Sequence, residues 1–299
     1  MKKLILLCTS LFAMTLFFSA SPVRAQTVLW VSATGSGTTC SAAAPCGTFQ
    51  TAINAGATEI HCLNSGNYGS VILSGSIMID CGTGNIGTIS IASGDAITID
   101  GGQTIILRHL SLNGNGSASL GIWTNINYSG ELFVEDCQIQ GFVNHGGIQF
   151  TPTGGRGLLH VSNSQIFNND TGIGIFGTQI VSLTLNKVEL VGNNVGLLLS
   201  GFIVAGAMRD SIVGSNTQEG VLANASQVFF TVEESSVVNN LTTGIEVNSA
   251  LATVNLAAST LSGNGTGVQA LAGSIVSFGD NHINANAIDG TFTRTQALK

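Results

Sequence analysis

Hydrophobic positions recur along this chain in a fixed frame of turns, with no sustained helical stripe. An aliphatic landmark is filled by Leu112, Ile139, Ile166, Leu190, Ile212, Val237, Leu261 and Ile283. A second apolar position stands shortly before it, at Leu107, Val134, Val161, Leu185, Ala207, Val232, Leu256 and Phe278. Beyond each landmark comes a glycine followed by an aliphatic residue, at Gly121-Ile122, Gly147-Ile148, Gly172-Ile173, Gly196-Leu197, Gly220-Val221, Gly244-Ile245 and Gly267-Val268. Between the two sit Asn115, Asn169, Asn193, Asn216, Asn240, Asn264 and Asn286. The step from landmark to landmark is roughly 22 to 27 residues, a period that marks a repeat architecture.

Within one step, short β-branched runs alternate apolar with polar residues and are separated by Gly and Asn, the pattern of strands joined by tight turns. Gly and Asn tolerate a positive φ, and Asn side chains can bond along a stack of like turns. A leucine-rich repeat would need a helical segment in every unit, and a propeller blade roughly 40 residues. About three short strands per coil, stacked in parallel about 4.8 Å apart, satisfy the spacing. The chain is therefore expected to be all-β, a parallel β-helix or solenoid. The open end of such a solenoid exposes strand edges. Thr48 to Asn54 places Phe49, Ala52 and Ile53 on one helical face and stops at Gly56, which predicts a short N-terminal capping helix.

Lys2 and Lys3 precede an apolar run from Leu4 to Phe18, and the small residues Val23 and Ala25 follow. This predicts a signal peptide over 1–25, a β-helix domain over 26–290 and a polar tail over 291–299, in a secreted or periplasmic protein. No later segment reaches the roughly 20 apolar residues of a membrane helix, so no membrane span is expected. Losing the leader leaves Arg108, Arg156, Lys187, Arg209, Arg294 and Lys299 against 16 acidic residues. Cations so scattered cannot neutralise a run of phosphates, which excludes nucleic acid as a partner. With a mean hydropathy of +0.40 and 8% charged residues, the chain is also too apolar for disorder.

Cysteine usage agrees with an oxidising compartment. Cys40 and Cys46 flank a tight loop and are expected to form a disulfide. Cys62 and Cys81 lie about one coil apart, either bonded or as buried thiols, and Cys137 is left over. No paired Cys-x-x-Cys is present, so no zinc site is assigned. Asp80, Asp95 and Asp100 raise calcium as the one candidate cofactor, since carboxylates on successive turns can ligate it. Asp-Gly more simply makes a turn.

Trp30-Val31-Ser32, Cys40 with Pro45-Cys46, Thr48-Phe49, Tyr68-Gly69, Ile79-Asp80 and the run Gly273 to Gly279 resemble small secreted bacterial β-helix proteins of the pectate-lyase-like superfamily. The resemblance spans essentially the whole mature chain. It implies a right-handed coil, polysaccharide ligands and, in many members, lyase or hydrolase chemistry. It further implies that the Gly-aliphatic strand is the functional face, and the outward positions of that strand here are Trp123, Gln149, Gly174, Leu198, Leu222, Glu246 and Gln269. One carboxylate without a second acid or a base completes neither chemistry. No catalytic residue is assigned. The expected function is non-catalytic binding of a surface or environmental polysaccharide, through the Trp123 indole, the Gln149 and Gln269 amides and Glu246. The alternatives are a polysaccharide lyase, hydrolase or epimerase, and a structural or protein-interaction rod. A second ladder, His109, Asp136, Asn163, Lys187, Arg209, Glu234, Ala258 and Asp280, is expected to form charge pairs between coils, with Asp210 partly buried beside it.

Overall fold

The computed structural model describes residues 27–297 apart from 83, 102–103 and 126–127, so the expected signal peptide over 1–25 lies outside the described residues. The chain winds into an all-β parallel solenoid of about nine turns. Each turn adds one strand to each of three sheets. The first sheet takes Val28–Val31, Glu59–Cys62, Ile77–Asp80, Thr104–Arg108 and Glu131–Glu135, and continues to Ile203–Arg209 and Gln227–Glu233. The second includes Gly87–Ser90, Ile212–Gly214, Ser236–Val238 and Thr260–Ser262. The third includes Asp95–Ile99, Thr171–Ile175, Val195–Leu199 and Val221–Ala223.

Alternation drives one face of every strand into a single core. On the first sheet the inward column runs Ile79, Leu107, Val134, Val161, Leu185, Met208, Val232 and Leu256, all buried. Three expected core positions are corrected. Met208 stands in the column where Ala207 was expected, and Val213 pairs with Leu190 and Val237 where Ile212 was expected. Ile212 is 41% exposed and Val213 fully buried. Adjacent apolar residues at both places make two frames readable, and a slip of one residue exchanges inside for outside. At the far end Ser277, not Phe278, pairs with Leu256.

The turn between the second and third sheets holds the expected asparagine stack, with one member removed. Asn169, Asn193, Asn216, Asn240 and Asn264 are buried, and their backbone amides donate to the side-chain oxygen of the next Asn along the rod, ending on Asn286. Asn115 lies outside it: it is exposed, at φ +51°, and bonds Ser90 and Ile91. The intervening coil places Phe142 in the register and breaks the column. A second polar column, unforeseen from the sequence, joins Ser211, Ser235 and Ser259 by amide-to-hydroxyl bonds, each hydroxyl donating to a carbonyl two residues back.

The glycines of the Gly-aliphatic pairs serve close approach, not positive φ. A Cβ on Gly172, Gly196, Gly220 or Gly244 would stand 2.5 to 2.6 Å from the carbonyl oxygen of the next such glycine. Residues that do take a left-handed φ form their own row at the corner of the first and second sheets: His109, Asp136, Asn163, Lys187, Asp210, Glu234 and Ala258.

A helix spans Phe49–Asn54, with Thr48 as its N-cap accepting from the Thr51 amide, and Phe49 and Ala52 are buried. Strand pairing continues past Gly290: Arg294–Thr295 pair with Val276 and Ser277, and Phe292 packs on the core. Disulfides join Cys40 to Cys46 and Cys62 to Cys81. Cys137 is a buried free thiol whose pKa burial pushes up to about 12. Iodoacetamide at neutral pH should therefore leave Cys137 intact in the folded protein and alkylate it in denaturant. Rapid alkylation of the native protein would contradict this burial.

Candidate functional site

Strand register places the expected binding residues on one outward row of the third sheet. Thr98 pairs with Trp123, Trp123 with Gln149, Gln149 with Gly174, and the row continues through Leu198, Leu222 and Glu246 to Gln269. Trp123, Gln149, Leu198, Leu222, Glu246 and Gln269 are all half-buried. The predicted residues nevertheless form two groups. Trp123 and Gln149 are adjacent, as are Glu246 and Gln269, but Gly174, Leu198 and Leu222 separate the pairs by about 19 Å of coil stacking. Phe176 fills the gap left by Gly174, its ring lying where a Cβ on that glycine would go.

Glu246 does have a second acid nearby, contrary to the sequence expectation. Burial raises the Glu246 pKa, and the Glu219 carboxylate raises it further. Glu219 accepts from the Thr242 hydroxyl at 3.2 Å. It lies in the turn before Gly220, one coil away, and so belongs to none of the strand's outward positions.

The second ladder is also revised. Arg209 belongs to the first sheet's outward row, where it pairs with Glu233, and Asp210 takes the left-handed corner and is exposed. Lys187 makes no ion pair among the described residues. The inter-coil charge pairs among the described residues include Arg209 with Glu233, Arg108 with Glu135 at 2.5 Å, and His109 with Asp80. Asp80, Asp95 and Asp100 stand apart, each with its own partners. Asp80 ends a first-sheet strand, Asp95 opens a third-sheet strand where Ser119 and the Leu120 amide bond it, and Asp100 accepts from Asn125 at 2.7 Å.

The N-terminal coils carry a concentration of ionisable side chains that the repeat pattern hid. Trp30, His61, Asp80, Arg108 and Glu135 occupy one row of the first sheet. The Trp30 and His61 rings lie 5.1 Å apart, and His61 pairs through Nε2 with Glu59. His109 Nδ1 stands 2.8 Å from Asp80 Oδ1, which also accepts the Gly82 amide at 2.7 Å. Burial alone would raise the Asp80 pKa, but the Gly82 amide, His109 and Arg108 outweigh it and hold the carboxyl below its usual range. In a chain with few charges, the expected signal was spacing: these residues are one coil apart, but they precede the region where the repeat is regular.

No family model and no curated protein matches this chain. Among solved structures, it is similar to the A-module of a mannuronan C-5 epimerase from Azotobacter vinelandii, at 15% identity and a TM-score of 0.48, over 83% of this chain and 93% of that one.

Proposed function

We propose that this chain is an extracytoplasmic solenoid that binds a polysaccharide along the outward row of its third sheet without cleaving the polymer backbone. The observation that supports this most is the row itself. From Trp123 to Gln269 it runs along the rod for about 29 Å at one side chain per coil, a pitch close to that of a linear glycan. Its surface is aromatic at Trp123 and Phe176, aliphatic at Leu198 and Leu222, and amide-bearing at Gln149 and Gln269. Rings and aliphatic groups cover apolar sugar faces and amides meet hydroxyls, while the scarcity of charge avoids the cost of desolvating ions.

Trp123→Ala should weaken retention on a panel of immobilised polysaccharides by about tenfold, or roughly 1.4 kcal/mol. Retention on none of them by the wild-type protein would overturn the proposal. The Glu219 and Glu246 pair favours one competing reading, hydrolysis, which needs two carboxyl groups flanking the scissile bond. Polymer cleavage that disappears in Glu246→Gln would replace binding by that chemistry.

A further inference from the structure

Ionised groups are sorted by face along this rod. On the third sheet and in the turn that leads into it stand Asp95, Asp170, Glu219, Glu246 and Asp289. No described arginine or lysine is among them. Arg108 and Arg209 pair with Glu135 and Glu233 on the first sheet, and Arg294 joins that sheet beside Val276. Lys187 takes the corner of the first and second sheets, and Arg156 stands with the first-sheet residues Glu131 and Leu158. The third-sheet carboxylates are instead met by neutral donors: Asn194 at Asp170, Thr242 at Glu219, Asn286 at Asp289, and the Leu120 amide with Ser119 at Asp95. Such bonds hold a carboxylate in place and leave its charge uncompensated. Glu246 stands in the row itself, half-buried, and the Glu219 carboxylate acts on it through space.

We propose that this row selects an uncharged polysaccharide and rejects polymers of uronic acids, with Glu219 and Glu246 as the residues that set the selectivity. The inference rests on the polysaccharide reading above and names the class of polymer within it. A uronic chain seated along the row at one sugar per coil brings one carboxylate to each step of about 4.8 Å. The screening length at physiological ionic strength is about 8 Å, so the sugar carboxylates over Glu246 and over the coils on either side of it all lie within the field of that side chain. Docking also displaces water from Glu246 and from Leu222, its neighbour in register, and repulsion between like charges grows as the local dielectric falls. A neutral chain meets the same carboxylates as acceptors for its hydroxyl groups, which a uronate oxygen cannot supply. The cations of the first sheet lie on another face and offer no compensation.

The test is retention of the wild-type protein on immobilised cellulose, mannan and starch, each beside the same matrix oxidised at its primary alcohols to the uronate, with polygalacturonate added to the panel. EDTA in the buffer removes divalent cations that would bridge two carboxylates, and a pH of about 8 lies above the ordinary histidine range. The neutral matrix that holds the protein should outbind its oxidised form by about tenfold or more at low ionic strength. That gap should close in about 1 M NaCl, where the screening length falls to about 3 Å, and methyl esterification of the oxidised matrix should restore retention. Glu219→Gln combined with Glu246→Gln should raise retention on the oxidised matrix relative to the neutral one by about tenfold. Glu131→Gln removes one charge from an exposed position of the first sheet and should leave the ratio as it is. Equal retention on neutral and oxidised matrices by the wild-type protein overturns the proposal, as does a ratio unmoved in the folded double variant or moved as far by Glu131→Gln. Retention on uronic matrices alone sinks the selectivity and leaves the polysaccharide reading standing, whereas retention on none of the matrices overturns that reading itself.

Discussion

Gly196→Ala is expected to lower stability by about 3 kcal/mol or more, at the upper end of what overpacking a core costs. The added Cβ would stand 2.6 Å from the Gly220 carbonyl oxygen, 2.7 Å from Val213 Cγ1 and 2.8 Å from Asn216 Nδ2. None of these is the free end of a flexible side chain. Gly220 is held in turn by Gly244, whose carbonyl oxygen stands 2.6 Å from where its own Cβ would be. Relief at one coil therefore requires displacement of the next, and close-packed interiors transmit such strain without absorbing it. Gly75→Ala is the matched control. Nothing lies within 4 Å of its added Cβ. Its melting temperature should hold or rise, since alanine restricts the unfolded chain. Equal melting temperatures for the two variants would show that the coils can separate at the glycine column.

The contrast between these glycines shows how much of the molecule was legible in the sequence. The repeat and the strand pattern were legible because they depend on periodicity, which burial imposes on every coil alike. The same periodicity named the Gly-aliphatic pairs but suggested the wrong physics for them. Only coordinates distinguish a glycine needed for positive φ, such as Gly192 at +67°, from one needed for close approach, such as Gly196. Frame errors arose where two neighbours were both apolar, at Ala207 with Met208 and at Ile212 with Val213, because hydrophobicity alone cannot choose between them. The outward row of the third sheet was read in correct register, yet the filling of its Gly174 gap by Phe176 was not legible. The contact of Asp80 with His109 was missed because Asp80 ends a first-sheet strand while His109 stands at the corner of the next coil. Spacing in sequence does not encode a contact made around a corner.

Asn240→Ala should cost about 1 to 3 kcal/mol, the penalty of leaving a buried polar group without a partner. Asn240 is fully buried. Its side-chain nitrogen donates to the Val213 carbonyl at 3.2 Å and to Asn264 Oδ1 at 2.9 Å. Its oxygen accepts from the Asn216 amide at 3.2 Å and from Asn216 Nδ2 at 2.8 Å. Truncation leaves the Asn216 backbone amide unsatisfied, while the Val213 carbonyl stays within the parallel ladder with Ser236–Val238, Asn264 Oδ1 keeps the Asn240 backbone amide and Asn216 Nδ2 keeps the Leu190 carbonyl. The loss is thus one orphaned group and not four, which sets the magnitude. Asn144→Ala removes one exposed bond, to the Ser117 carbonyl, and should stay within about 0.5 kcal/mol. Asn240→Asp separates the stack from simple volume loss. It preserves the shape and the accepting oxygen but turns a carboxylate oxygen toward the Val213 carbonyl and Asn264 Oδ1, so it should be worse than alanine at neutral pH. Chemical denaturation of the three variants measures this order, and an aspartate variant as stable as the wild type would mean that the column holds its coils by packing and not by directed hydrogen bonds.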